Sequence, residues 1–238
     1  MLSKAKLKQY QQLGSKKFRQ KYGLFVVEGL KSVNELVKSD WTVECILCTS
    51  SFSDQHNQNL NFQCDSISRE EFYKISGQKN PQEILAIAEI ARPTLAESNW
   101  EIALDTINDP GNLGTIIRIA DWYGITKIYC SKNSVDMFNS KTIQASMGSF
   151  LRVELVEGNL DELLRNKEVY ATLLEGANIR TMDKPQAGVI LIGNEANGIS
   201  KEVLDALNPV AVSIPRIGKA ESLNAAIATA ICCERLIG

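Results

Sequence analysis

The sequence predicts an α/β protein: a C-terminal parallel sheet covered by helices on both faces, preceded by a smaller α/β domain. Three observations carry that expectation. From about residue 100 onward, short apolar runs alternate with helical stretches, the pattern of βα units rather than hairpins. Before that, Arg92, Pro93, Thr94, Ser98 and Asn99 fall in a stretch without hydrophobic period, which marks a linker at 93–99 between domains over 1–92 and 100–238. A chain of 238 residues is long enough for one large core or two smaller ones.

Taken in order, residues 3–20 read as a helix, 24–28 as a strand, 29–39 as a helix and 43–49 as a strand. Residues 51–61 are polar and turn-rich. A short strand near 62–64, a helix over 68–75 and a strand over 83–89 complete the first domain. In the second domain, strands are expected at 101–107, 126–130, 151–156, 168–174, 188–192 and 210–214. Helices are expected at 113–123, 140–147, 159–166, 200–206 and 222–237. Ser222, Leu223 and Asn224 form a natural start for the last helix, since Ser and Asn oxygens accept from the free N–H groups of a first turn. That helix is apolar nearly all round, with Thr229, Glu234 and Arg235 as exceptions, so it needs cover on most sides.

Composition excludes several classes. No run of about 18 apolar residues is present, which argues against a membrane helix, and the first residues lack the apolar core of a secretion signal. The six cysteines are scattered, two of them adjacent inside the last helix, which suits reduced thiols in a cytoplasm. Cys45 and Cys48 form a C-x-x-C, with His56 and Cys64 nearby. Its apolar filling reads as a strand, whereas structural zinc wants four ligands at turn-like spacing, so no metal is expected. A net charge of −2 conceals a basic start: Lys4, Lys6, Lys8, Lys16, Lys17, Arg19, Lys21 and Lys31 face Glu28 alone, with Tyr10, Phe18 and Tyr22 interleaved. This is the composition of a polyanion-binding arm, with Lys16, Lys17, Arg19 and Lys21 as candidate RNA contacts; a solvated amphipathic helix is the plainer alternative.

Three segments carry chemistry, each at the carboxyl end of an expected strand, where ligands sit in open α/β sheets. In the first, a Pro110-Gly111 turn precedes Asn112, which can cap the following helix; Gly114 and Arg118 follow. Arg118, under two turns beyond Asn112, rises close to the helix mouth. In the second, an apolar strand ending at Ile192 breaks at Gly193, followed by Asn194, Glu195 and Gly198; Gly193 is expected to let a ligand approach the backbone. The third runs from Ile214 and Pro215 through Gly218 to Ser222, Leu223 and Asn224. The glycine spacing fails both the dinucleotide fingerprint and the P-loop, which disfavours a nucleotide-binding oxidoreductase.

Together and in this order, the three segments resemble the motifs of the SpoU-type (TrmH-like) ribose 2′-O-methyltransferases of the SPOUT class. Asn112, Gly114 and Arg118 match the first motif, Gly193, Asn194, Glu195 and Gly198 the second, and Ile214, Pro215, Gly218, Ser222, Leu223 and Asn224 the third. The likeness extends more loosely to residues 1–90, where 25–29 are similar to the small RNA-binding domain that often precedes the enzyme. The resemblance implies a deep C-terminal trefoil knot, which general topology rules would not suggest. It also implies a homodimer with active sites near its interface. S-adenosylmethionine is implied as cofactor, held largely by backbone near Leu173, Leu174, Ile192, Gly193, Ile214, Gly218 and Leu223.

The implied reaction moves a methyl group to a ribose hydroxyl, so the protein must align that oxygen and help remove its proton. The family assigns the base role to the motif-one arginine, here Arg118. A guanidinium, with a pKa above about 12 and no spare lone pair, is better suited to clamp a phosphate or a developing oxyanion. Glu195 is expected to orient Arg118 or relay a proton, with capping of its own turn as the plainer role. Asn112, Ser222 and Asn224 are expected to position Arg118, the ribose or the cofactor. Structured ribosomal RNA is the expected substrate, with transfer RNA, or an RNA-binding relative without catalysis, as alternatives.

Overall fold

A computed structural model describes residues 2–56, 60–90 and 95–238. Residues 91–94, which include the first two of the expected linker, lie outside the described residues, as do 57–59 of the turn-rich segment; 95–99 form no helix or strand. The chain divides into two compact units, 1–93 with 138–151, and 94–137 with 152–238.

In the first unit, the helix expected over 3–20 forms as two, α1 (Lys4–Gln12) and α2 (Lys16–Tyr22). Ser3 caps α1 by accepting from Lys6 N at 3.2 Å. Gly14 and Ser15 interrupt the helical run, and Leu13 turns inward at the break. Strands β1 (Leu24–Glu28), β2 (Val43–Thr49), β3 (Asp65–Ile67) and β4 (Ile84–Glu89) make a sheet in the order β1-β4-β2-β3. Strand β4 runs antiparallel to both neighbours and β3 parallel to β2. Between strands lie α3 (Leu30–Val37), α4 (Ser50–His56) and α5 (Arg69–Ile75); α4 forms where only a polar, turn-rich stretch was expected.

Strand period two sorts the core of this unit. Leu24, Leu47, Leu85 and Ile87 meet Tyr10, Leu13, Phe72 and Ile75 on one side. Facing the other way, Phe25 meets Trp41, Phe138 and Phe150 with ring centroids 4.6–5.9 Å apart. Phe138 and Phe150 belong to a later stretch that holds α7 (Ser140–Ser146) and a 3-10 turn at Ser149–Leu151, and α7 packs on β1. Cys45 and Cys48 fall three apart on β2, hence on opposite faces. Cys45 Sγ reaches Tyr10 Oη at 3.5 Å, while Cys48 Sγ stands 2.7 Å from Cys64 Sγ. Among the described residues, no group of three or more His, Cys, Asp or Glu is placed to hold a metal, and no helix is long and apolar enough to cross a membrane.

The second unit holds β5 (Trp100–Leu104), β6 (Lys127–Ser131), β7 (Glu154–Gly158), β8 (Val169–Asn178), β9 (Gly188–Ile192) and β10 (Val210–Ser213). All pairings are parallel, in the order β10-β8-β9-β5-β6-β7, as the alternation of apolar runs and helical stretches predicts. Its helices are α6 (Pro110–Trp122), α8 (Leu160–Leu163), α9 (Lys201–Leu207) and α10 (Ala225–Leu236). Ala103, Tyr129, Ala171, Val189 and Leu191 form one core face with Leu160, Leu164 and the α9 side chains Val203, Leu204 and Leu207. Helices α6 and α10 pack against each other, and α10 also meets β9. Strand β8 departs from a regular ladder: Ala211 pairs with Ala171, but the next residue, Val212, pairs with Ala177.

Candidate active site

The first site turn leaves β5 through Asp105, which is 4% exposed. Its Oδ2 accepts from Ser200 N at 2.8 Å and its Oδ1 from Thr106 Oγ1 at 3.0 Å. Thr106 adopts φ +59°, an unfavourable region for a β-branched residue. It is held there from both sides, its N–H donating to Ser131 Oγ at 2.8 Å and its carbonyl accepting from Asn194 Nδ2 at 2.9 Å. Helix α6 then starts at Pro110, with Asp109 as its cap: Asp109 Oδ1 accepts from Asn112 N at 2.7 Å. This corrects the expected capping role of Asn112. Proline's fixed φ suits the first helical position, so the helix begins three residues earlier than expected and Asn112 keeps its carboxamide for other partners.

The second turn follows Ile192, whose carbonyl accepts from Asp105 N at 2.9 Å. Asn194 closes it, its Oδ1 accepting from Ala196 N at 2.9 Å and Asn197 N at 3.1 Å. Asn194 thus takes the capping that was the plainer expectation for Glu195, leaving the half-buried Glu195 carboxylate for the site. Gly193 also needs a correction. A Cβ there would stand 2.3 Å from Gly198 C and 2.4 Å from Ile199 N, so its own turn demands glycine and the missing side chain does not open a path for a ligand. A Cβ at Gly218 meets nothing within 4 Å.

The third segment leaves β10 at Ile214 and runs to Asn224. Among the described residues, no backbone group from 214 to 223 bonds to another backbone group; Arg216 Nη1 donates to Ala220 O at 3.2 Å instead. Ile217 is 93% exposed and Leu223 44%, while Leu174 on β8 is 78% exposed. Leu173, by contrast, packs partly against the Val169–Leu191 core face. Asn224 caps α10 as expected, its Oδ1 accepting from Ala226 N at 3.0 Å and Ile227 N at 3.3 Å.

These turns converge in one polar relay. Asn224 Nδ2 donates to Asn112 Oδ1 at 2.8 Å, and Asn112 Nδ2 donates to Glu195 Oε1. Because Asn224 Oδ1 is committed to the helix N–H groups, its amide points one way, and that fixes the orientation of Asn112 in turn. A carboxylate held this way can accept a proton or orient a cation. The side chains of Arg118 and Ser222 are exposed and have no hydrogen-bond partner among the described residues, so the structure unites three of the five expected catalytic side chains. The residues alone gave no role to Asp105 or Asp109, and Asn194 stood there only as a motif match. The available signal was a short polar side chain ending each apolar strand or preceding a proline.

Of the four expected RNA-contacting cations, Lys17 and Lys21 are exposed and Lys16 is half-buried. Arg19 is 4% exposed, and its Nη1 donates to Leu13 O at 2.6 Å. It is therefore removed from the set: its guanidinium satisfies a carbonyl left open at the break between α1 and α2.

A parallel sheet with polar groups gathered at the carboxyl ends of three strands, in a chain with a second α/β unit, defines a two-unit α/β protein with a ligand site at its strand ends. The chain belongs to the SpoU rRNA Methylase family, whose model matches residues 99–234; residues 4–86 match the MRM3-like substrate binding domain. It is 32% identical over 239 residues to the 23S rRNA (guanosine(2553)-2′-O)-methyltransferase RlmP of Bacillus subtilis, covering 98% of this chain and 96% of that one. A solved TrmH-family protein from Porphyromonas gingivalis superposes with TM-score 0.87 at 31% identity, covering 99% and 98%. An S-adenosylmethionine-bound rRNA methyltransferase from Sinorhizobium meliloti does so with TM-score 0.82 at 29% identity, covering 99% and 96%.

Proposed function

We propose that this chain transfers the methyl group of S-adenosylmethionine to a ribose 2′-hydroxyl of ribosomal RNA. The Glu195–Asn112–Asn224 relay carries the reading, because it ties three strand-end motifs into one oriented proton acceptor. The named substrates of the related enzymes point to ribosomal RNA. The 214–223 loop fits the cofactor: its backbone groups have no backbone partners, Gly218 leaves open space, and Ile217 and Leu223 offer apolar surface.

When bound, S-adenosylmethionine supplies an electrophilic methyl on a sulfonium. The chain must then hold the ribose oxygen in line and take its proton. Glu195, kept in place by Asn112, is positioned to accept that proton or to steer Arg118. Arg118, with no internal partner, is free to clamp a phosphate or the developing 2′-oxyanion. Lys16, Lys17 and Lys21 contact RNA phosphates in the first unit. Helices α6 and α10 expose Trp122 (84%) and Ile227 (52%), apolar surface that supports a homodimer. The C-terminal knot and a cytoplasmic setting, where six unpaired thiols stay reduced, complete the proposal.

The test incubates the purified protein with methyl-labelled S-adenosylmethionine and in vitro 23S rRNA or bulk tRNA, then maps 2′-O-methylation by resistance to alkaline cleavage. Label at one ribose of the rRNA is expected. Label on a base, on tRNA alone or on neither RNA would overturn the assignment.

A further inference from the structure

Glu28 ends β1 inside the first unit with 7% exposure, and no cation meets it among the described residues. Its partners all come from one loop. Ser76 Oγ lies 2.9 Å from Oε1 and 2.7 Å from Oε2, and Gln82 N donates to Oε1 at 3.2 Å. One carboxylate thus grips both ends of residues 76–82. Burial pushes its pKa above the ordinary glutamate range, against the pull of those hydrogen bonds.

Two glycines flank the Glu28 contacts of the loop. Gly29 has φ +100°, and a Cβ there would stand 2.5 Å from Gln82 Oε1; a Cβ at Gly77 would stand 2.6 Å from Ser140 Oγ. Gln144 Nε2 on α7 donates to Gln78 Oε1 at 3.3 Å, bracing the loop from the side. What the loop turns outward is Lys79, Asn80 and Gln82, with Lys141 exposed on the bracing helix. The loop carries no acidic residue and no large apolar side chain. A buried uncompensated charge is costly, and here its partners are spent on a loop that builds no core.

We propose that loop 76–82 is an RNA-contacting loop and that Glu28 is the positioning residue that holds it in shape. Amide and ammonium donors suit phosphate oxygens, 2′-hydroxyls and base edges. A loop fixed before binding recognises structured RNA without an ordering cost. The inference rests on the RNA-modifying function proposed above.

The experiment measures RNA binding and steady-state methylation separately, with in vitro 23S rRNA, for wild type, Lys79→Ala/Asn80→Ala, Lys141→Ala and Glu28→Gln. Both surface variants are expected to raise Kd and KM for RNA about tenfold, or about 1.4 kcal/mol, leaving kcat and cofactor affinity unchanged. Each lost lysine contact should flatten the slope of log affinity against log salt by about 0.7–0.9. Glu28→Gln should raise KM similarly while keeping the wild-type salt slope, since no phosphate contact is removed directly. The proposal is overturned if the surface variants bind and turn over RNA like wild type. It is equally overturned if Glu28→Gln lowers the melting temperature with KM unmoved. Failure of the functional reading looks different: wild type would bind RNA but methylate none, and the binding arm would still decide the role of the loop.

Discussion

Replacing Asn112 by alanine cuts the relay at its centre while sparing the fold of α6, whose cap uses only the Asn112 backbone N–H. The substitution removes one hydrogen bond to a carboxylate, about 1.5–3 kcal/mol, and one between neutral amides, about 0.5–1.5 kcal/mol. If both act fully in the transition state, the loss of about 2–4.5 kcal/mol slows methyl transfer by about 30- to 2,000-fold. Water reaching the half-buried site would move the effect toward the lower figure. Single-turnover transfer with pre-bound RNA isolates chemistry from binding. A cycle with Glu195→Ala then tests the wiring: if Asn112 works by orienting Glu195, the double variant should be no slower than Glu195→Ala alone. Losses that add within about 0.3–0.5 kcal/mol would refute the relay.

Arg118→Lys should cost about 2.7–4 kcal/mol if the guanidinium is a clamp, with no new rise in rate from about pH 7 to 10; recovery to near wild type at high pH would mark it as a base instead. Gly193→Ala forces a Cβ into the Gly198 backbone and should lower stability by about 1–3 kcal/mol, a few degrees in melting temperature, whereas Gly218→Ala should melt like wild type and weaken S-adenosylmethionine binding in calorimetry. Lys17→Gln/Lys21→Gln should flatten the salt dependence of RNA binding by about 0.7–0.9 per lost contact without moving the melting temperature, and Arg19→Ala should do the reverse, since it leaves Leu13 O unsatisfied. Glu28 has a raised folded-state pKa, so between its ordinary and raised values the folded chain holds more protons than the unfolded one; denaturant titration should show stability falling as pH rises through that window, and Glu28→Gln should remove that part of the slope.

What could be read from the residues was what local chemistry decides. The parallel sheet follows from alternating apolar runs, and the Asn224 cap follows from a polar triplet ahead of an apolar helix. The start of α6 was misplaced because Pro110-Gly111 resembles a turn, although Asp before Pro is equally a cap before a first helical residue. Helix α4 hid in a serine-rich stretch that favours turns unless packing overrides it, and Phe52 supplies that packing. The inward turn of Arg19 had no signature, because a cation in a basic helix reads the same whether it faces water or a carbonyl four to six residues back. Least legible was the place of 138–151. It depends on Phe138 and Phe150 meeting Phe25 from more than a hundred residues away, and no periodicity encodes such a meeting.

That distant meeting sets a schedule for biosynthesis. The aromatic face of the first unit cannot close until Phe150 has cleared the ribosome, by which time β5, α6 and β6 have already been made. At about 5–20 residues per second, Phe25 and Trp41 wait several seconds for their partners. A gene fragment ending at the apparent linker would never supply those partners. The product would carry an uncovered aromatic patch, so this protein divides into two units in space without dividing into two messages.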